Sequence, residues 1–229
     1  MMPPHTTYIE PFVGGGSVFF AAPADPNVKE VINDKDKDIM NIYIDMKKVG
    51  DKIDGFTPPS KERFKQLQNQ KTFSSPTERL RRNLLISRYS FRSDRKSYAP
   101  STIERDGGPQ FLRKKYYKYK DRLKNTRILN QDYKSVIRKY DSPTAFIYLD
   151  PPYSTAGVHK DYNDNDVKIE DIINTLKTVK GKFILSYDNV PIAKRLARAA
   201  GFKVMMATTT YTDGGGGKIP KKELLIRNY

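Results

Sequence analysis

The chain of 229 residues has no cysteine, no tryptophan and only two histidines. Without cysteine there can be no disulfide, no thiolate metal ligand and no thiol nucleophile, and no oxidising compartment is required. His5 and His159 are too few and too far apart to suggest a metal centre, so none is expected. Long apolar runs are missing as well. Nowhere do about 18 apolar residues follow one another, and the opening MMPPHTTYIEPF has no apolar signal core, so a soluble intracellular protein without a membrane partner is expected.

Negative charge is in short supply: 26 Asp and Glu face 42 Lys and Arg, a formal charge of +16. Such an excess favours a polyanionic partner, nucleic acid above all, over an acidic small molecule. The excess is concentrated. Residues 58–125 hold 19 Lys and Arg against 6 Asp and Glu, and the remainder of the chain is close to neutral.

What is present, outside that basic segment, is an alternation of short β-rich runs with helical patterns. Strands are predicted at Thr7 to Phe12, Glu30 to Asn33, Arg127 to Asn130, Ala145 to Leu149, Lys182 to Ser186, Lys203 to Thr210 and Glu223 to Arg227. Crossover helices are predicted at Asp36 to Lys48, Tyr133 to Lys139, Ile169 to Thr178 and Pro191 to Ala200, the last closed by Gly201. The alternation predicts an α/β fold with a mostly parallel seven-stranded sheet, and the last strand, reached without a helix, should run antiparallel. Between Pro58 and Asn125 the strand signals stop and helical stretches are broken at Pro76, Pro100 and Gly107-Gly108-Pro109. The expected organisation is an α/β domain made of residues 1–57 and 126–229, interrupted by a basic, mainly helical subdomain at 58–125.

Three motifs carry chemistry. Tyr8-Ile9-Glu10-Pro11-Phe12-Val13-Gly14-Gly15-Gly16-Ser17 is a strand running into a glycine turn and a helix start, an arrangement that lets backbone approach a ligand closely. About twenty residues on, Val31-Ile32-Asn33-Asp34 ends the second strand on an acid that can take the hydroxyls of an adenosine ribose; capping of the following helix is the competing role for it. Ile147-Tyr148-Leu149-Asp150-Pro151-Pro152-Tyr153 is the most specific of the three. Two prolines stiffen the carboxyl end of an apolar strand, where open α/β sheets bind ligands.

In that order, with a basic insert before the last, these motifs resemble the DNA adenine-N6 methyltransferases typified by bacterial GATC-methylating enzymes. Leu185-Ser186-Tyr187-Asp188-Asn189 and the stretch from Gly214 to Leu225 extend the likeness to the end of the chain. The resemblance implies a Rossmann-like fold, S-adenosyl-L-methionine as cofactor, and methyl transfer to adenine in DNA. Asp150, Pro151, Pro152 and Tyr153 are then the expected catalytic residues: Asp150 and the Pro151 carbonyl accept hydrogen bonds from the adenine amine, and Tyr153 stacks on the flipped base. Pro11, Phe12, Gly14, Gly16, Asp34, Asp132 and Asp150 are the expected cofactor residues.

In the basic segment, Arg79, Arg81, Arg82, Arg88, Arg92, Arg95 and Lys96 interleave with Tyr89, Phe91 and Tyr98, and the run Arg113 to Lys120 follows. Cations that neutralise phosphates beside aromatic faces that stack on bases make a nucleic-acid surface. Arg88, Tyr89, Phe91, Arg92, Arg95, Lys114 and Lys115 are the expected contacts. Two features depart from the resemblance. The seven residues ahead of Tyr8 do not match the Lys-Trp-x-Gly-Gly-Lys-like segment found there in the family. An open cofactor site, a second subunit or dimer completing it, and a weakly active protein are all compatible with that. The family's target-reading hairpin is not reproduced either, so GATC is not inherited. The expectation is a restriction-modification, phage or viral DNA methyltransferase working in the cytoplasm of a bacterium or a virus-infected cell. RNA as substrate and an inactive or partner-dependent nucleic-acid-binding subunit are the alternatives.

Overall fold

The computed structural model describes residues 2–50, 53, 57–90, 95–99, 119–152, 167–212 and 218–229. The strands are β1 (Thr7–Glu10), β2 (Lys29–Asn33), β3 (Arg127–Leu129), β4 (Ala145–Leu149), β5 (Lys182–Asp188), β6 (Lys203–Thr212) and β7 (Lys218–Arg227). They form one sheet in the order β3-β2-β1-β4-β5-β7-β6. β1 pairs in parallel with β2 and β4, and β4 with β5. β7 lies antiparallel to both β5 and β6, as expected for a strand that returns by hairpin rather than through a crossover helix.

The helices are α1 (Ser17–Ala21), α2 (Lys37–Val49), α3 (Lys61–Asn69), α4 (Pro76–Arg88), α5 (Tyr133–Tyr140), α6 (Ile169–Leu176) and α7 (Pro191–Ala199). The molecule divides into two compact units, residues 1–35 with 129–229, and residues 36–128. Among the described residues, no helix is long and apolar enough to cross a membrane.

In the first unit the register places Ile9, Ile147, Phe183, Leu185, Leu224 and Ile226 on one face of the sheet. Val136 and Ile137 of α5, Ile172, Ile173 and Leu176 of α6, and Ala193 and Ala197 of α7 pack on that face in a single buried cluster. β4 reads as a near-continuous apolar run because a central parallel strand is covered on both sides. On the opposite face Tyr8 packs against Phe19 of α1 and Phe146, with ring centroids 6.3 and 6.1 Å apart.

The second unit begins at Asp36, ahead of the basic segment, because α2 packs on α4. Asp45, fully buried on α2, receives both Nε and Nη2 of Arg79 at 2.7 Å. Helices α2, α3 and α4 each start on a side-chain cap, Asp36, Ser60 and Ser75, and Pro76 takes the first turn of α4 where its missing N–H costs nothing.

Gly181, in the turn from α6 into β5, is fixed by space. A Cβ there would lie 2.6 Å from the Ala145 carbonyl oxygen and 2.8 Å from that of Ser142. Gly181→Ala is expected to destabilise the protein by about 1–3 kcal/mol, as overpacking against backbone does. Urea unfolding with a midpoint equal to wild type would refute this.

Candidate active site

Tyr8 stands opposite Phe146 and Ile9 opposite Ile147, so parallel β1 and β4 end at the same edge of the sheet. This pairing brings Glu10 level with Tyr148 and sets the chain leaving β1, with its glycines, beside Asp150-Pro151-Pro152 leaving β4. β2 is in parallel register on the other side of β1, Glu10 opposite Ile32, so Asp34 emerges at the same edge.

The turn after β1 has a shape that favours glycine. Gly14 and Gly16 have φ of 46° and 71°, in the left-handed region. A Cβ on Gly14 or Gly15 would meet nothing within 4 Å, so this side of the turn looks onto open space. Pro11 and Gly16 are buried beneath it, and the Phe12 ring lies 5.0 Å from that of Tyr133 at the start of α5. Asp34 braces the turn: its Oδ2 accepts the Gly14 N–H at 2.9 Å. Capping of α2 falls to Asp36, which accepts from the N–H groups of Asp38 and Ile39.

Asp132 caps α5, its Oδ1 accepting from the Lys134 and Ser135 N–H groups at 3.0 and 3.3 Å, and its side chain is exposed at the same sheet edge. Two amides that the motif analysis passed over hold these loops. Asn33, 1% exposed, donates from Nδ2 to the carbonyls of Pro11 and Gln131 at 3.0 and 3.1 Å, and its Oδ1 accepts the Gln131 N–H at 2.8 Å. Asn130 donates to the carbonyls of Asp34 and Lys35 at 2.8 and 3.0 Å. The only sequence signal was an asparagine beside the acid that ends β2.

Asp150 is exposed at the end of β4, with Pro151 buried behind it. On the face of the sheet turned away from α5, α6 and α7, the register collects Glu10, Tyr148, Ser186, Asp188 and Glu223. Glu10 is 2% exposed and accepts the Tyr8 hydroxyl at 2.5 Å. Burial, with a smaller push from the negative charge of Asp150, drives the Glu10 carboxyl up to about 8 against the opposing Tyr8 hydrogen bond. Tyr148 is also raised, by burial first and then by Asp150 and Glu10. Asp188 and Glu223 stand opposite each other on β5 and β7, buried, with Lys221 Nζ 2.5 Å from Asp188. The raised Glu10 carboxyl and the lysine on Asp188 both limit the negative charge on this face of the sheet.

Residues 1–212 match the D12 class N6 adenine-specific DNA methyltransferase family. The chain belongs to that family. It is 25% identical to the Type II methyltransferase M1.LlaDCHI of Lactococcus lactis subsp. cremoris, across 97% of this chain and 86% of that protein. To the Type II methyltransferase M.MjaIII of Methanocaldococcus jannaschii it is 26% identical, across 97% of this chain and 88% of that one. Among solved structures, a precorrin-6y C5,15-methyltransferase from Geobacter metallireducens aligns with all of this chain and 81% of its own, at 10% identity and a TM-score of 0.46. Membership makes the protein an adenine-specific DNA methyltransferase, with S-adenosylmethionine the implied methyl donor.

The methyltransferase uses part of its basic segment to build itself. Arg79 is held by Asp45, and Arg82, 7% exposed, donates to the carbonyls of Leu67 and Gln68. Arg95 pairs with Asp36. Tyr89 is 3% exposed, packed within the second unit. Arg88, the last residue of α4, is half-buried. Tyr153, Phe91, Arg92, Lys114 and Lys115 lie outside the described residues.

The raised Glu10 carboxyl has a consequence for stability. Folded protein holds this proton up to about pH 8, whereas an ordinary glutamate releases it near 4.5. The contribution of Glu10 is therefore fully present below about 4.5 and is lost as pH rises through about 8. Glu10→Gln keeps an acceptor for Tyr8 without that loss, so its melting temperature relative to wild type is expected to be more favourable at alkaline than at acid pH. A difference that stays constant with pH would contradict the assignment.

Proposed function

We propose that the chain transfers a methyl group from S-adenosylmethionine to the N6 amine of adenine at a specific DNA sequence, with Asp150-Pro151-Pro152-Tyr153 as the reacting corner. The observation that supports the reading is the parallel pairing of β1 with β4, whose ends lead into the glycine turn and into Asp150-Pro151-Pro152 at one edge of the sheet. The residues present suit the donor. Open space beside Gly14 and Gly15 leaves room for backbone to approach it, Pro11, Phe12 and Gly16 shape the turn, and Asp34 and Asp132 offer carboxylates to ribose and adenine. A carboxylate has about four acceptor positions, so bracing Gly14 leaves Asp34 able to take ribose hydroxyls as well.

When bound, S-adenosylmethionine supplies an electrophilic methyl group on a sulfonium. The task of this chain is to present a poor nucleophile in line with it, because the amine lone pair is delocalised into the purine ring. Asp150 and the Pro151 carbonyl accept its two N–H hydrogens and draw electron density toward nitrogen; the Pro151 ring fixes φ and the following Pro152 restricts ψ, which confines the direction of that carbonyl. Tyr153 stacks on the adenine, which must leave the duplex to reach the corner. Arg88, Phe91, Arg92, Lys114 and Lys115 contact DNA, with Arg95 aligned by Asp36 as a support. By analogy with its two Type II relatives, the enzyme serves a restriction-modification system.

Labelled S-adenosylmethionine incubated with protein and mixed-sequence duplex DNA is expected to yield labelled N6-methyladenine. Asp150→Ala should lower the rate by about a hundredfold or more, the scale of removing one group that stabilises developing charge, while DNA affinity stays close to wild type. Label absent from N6-methyladenine, or turnover on RNA equal to that on DNA, would defeat the proposal.

A further inference from the structure

Two asparagines fasten together three loops that leave the sheet at one edge. Asn33, enclosed under the glycine turn, grips the backbone of Gln131 at two points and the carbonyl of Pro11 at a third, and its own carbonyl accepts the Val13 N–H at 2.9 Å. Asn130 returns the grip by donating to the carbonyls of Asp34 and Lys35. Pro11, Asp34 and Gln131 are consequently tied in a closed triangle, although up to 98 residues separate the partners in sequence. Asp34 closes it further through Gly14.

We propose that Asn33 and Asn130 are positioning residues for methyl-donor binding, a reciprocal pair of amides that sets the spacing between the glycine turn, Asp34 and Asp132. The proposal rests on the donor-site reading above. A carboxamide suits Asn33 because it alone among side chains of this size donates and accepts in one plane. Aspartate at 33 could still accept from Gln131 but would place negative charge against two carbonyls. A leucine would strip the Pro11 carbonyl, which is buried, and both backbone groups of Gln131 of these partners. The loop at Gln131 is gripped one residue before Asp132, so a small rotation there displaces the carboxylate that starts α5.

The side-chain hydrogen bonds of the two amides run to Pro11, Asp34, Lys35 and Gln131 and not to the Asp150-Pro151-Pro152 corner. Loosening the triangle therefore leaves the amine-presenting groups in place and degrades a preorganised pocket, which lowers donor affinity rather than the rate of transfer once donor is bound.

The test is a set of three variants of the full chain, Asn130→Ala, Asn33→Asp and Asp34→Ala. Each is measured for KM for S-adenosylmethionine, KM for DNA, kcat, calorimetric affinity for S-adenosylmethionine and melting temperature. Asn130 is exposed, so its truncation keeps the question open even if Asn33→Asp fails to fold. Each substitution removes two donated hydrogen bonds, those of Asn33 from an enclosed position, so the expected result is a rise in the donor KM of about threefold to tenfold for Asn130→Ala and more for Asn33→Asp, with kcat and the DNA KM within about twofold of wild type. If Asp34→Ala binds donor like wild type, the donor-site reading itself fails. If Asp34→Ala is weakened but both asparagine variants keep wild-type donor affinity, the site stands and the clamp is overturned. A parallel fall in kcat, both affinities and melting temperature would also overturn it, because that is the signature of a purely structural amide.

Discussion

Hydrogen bonding between β1 and β4 in parallel is the constraint on which the site depends. Parallel neighbours end at the same edge, so a glycine turn following one and a proline corner following the other are delivered side by side, although about 140 residues separate them in the chain. The same register sorts the side chains of the sheet. Ile9, Ile147, Leu149, Phe183, Leu185, Leu224 and Ile226 go to the face packed by α5, α6 and α7, while Glu10, Tyr148, Ser186, Asp188 and Glu223 go to the other. A slip of one residue in β1 would exchange Ile9 for Glu10 in the apolar layer, so packing energy defends the chemistry.

Charge is handled oppositely in the two units. The first is close to neutral overall yet gathers buried acids below Asp150, and it tolerates them because Glu10 retains its proton and Asp188 is paired with Lys221. The second is strongly basic, but its cations are not all available for phosphate. Arg79 and Arg82 bind α2, α3 and α4 to one another through Asp45 and the carbonyls at the end of α3. A count of arginines therefore overstates the charge offered to DNA, and the count cannot tell a bridging guanidinium from a presented one.

The strand and helix layout was legible because apolar periodicity is a local property. β4 begins and ends where the alternation placed it, and α5 and α7 differ from expectation by a residue at one end. β7 is longer than expected. Its first half contains Pro220, and the proline is tolerated because β5 pairs with β7 only from Glu223 onward, leaving the Pro220 segment bonded to β6. The acids after the strands divided their roles in a way that spacing could not foretell: Asp34 turns back to the glycine turn, Asp36 caps α2, and Asp132 caps α5.

By itself the sequence determined the order of the elements, the three motifs with their residue chemistry, and the confinement of positive charge to one segment, since each of these is written in neighbouring residues. Tertiary structure alone decided which side chains are enclosed and which loops are tied. Tyr89 and Arg82 disappear into packing, Glu10 keeps its proton under Asp150, and Asn33 holds Gln131 from the far end of another strand. Those outcomes depend on desolvation and on hydrogen bonds between segments tens of residues apart, and neither exists until the sheet has closed.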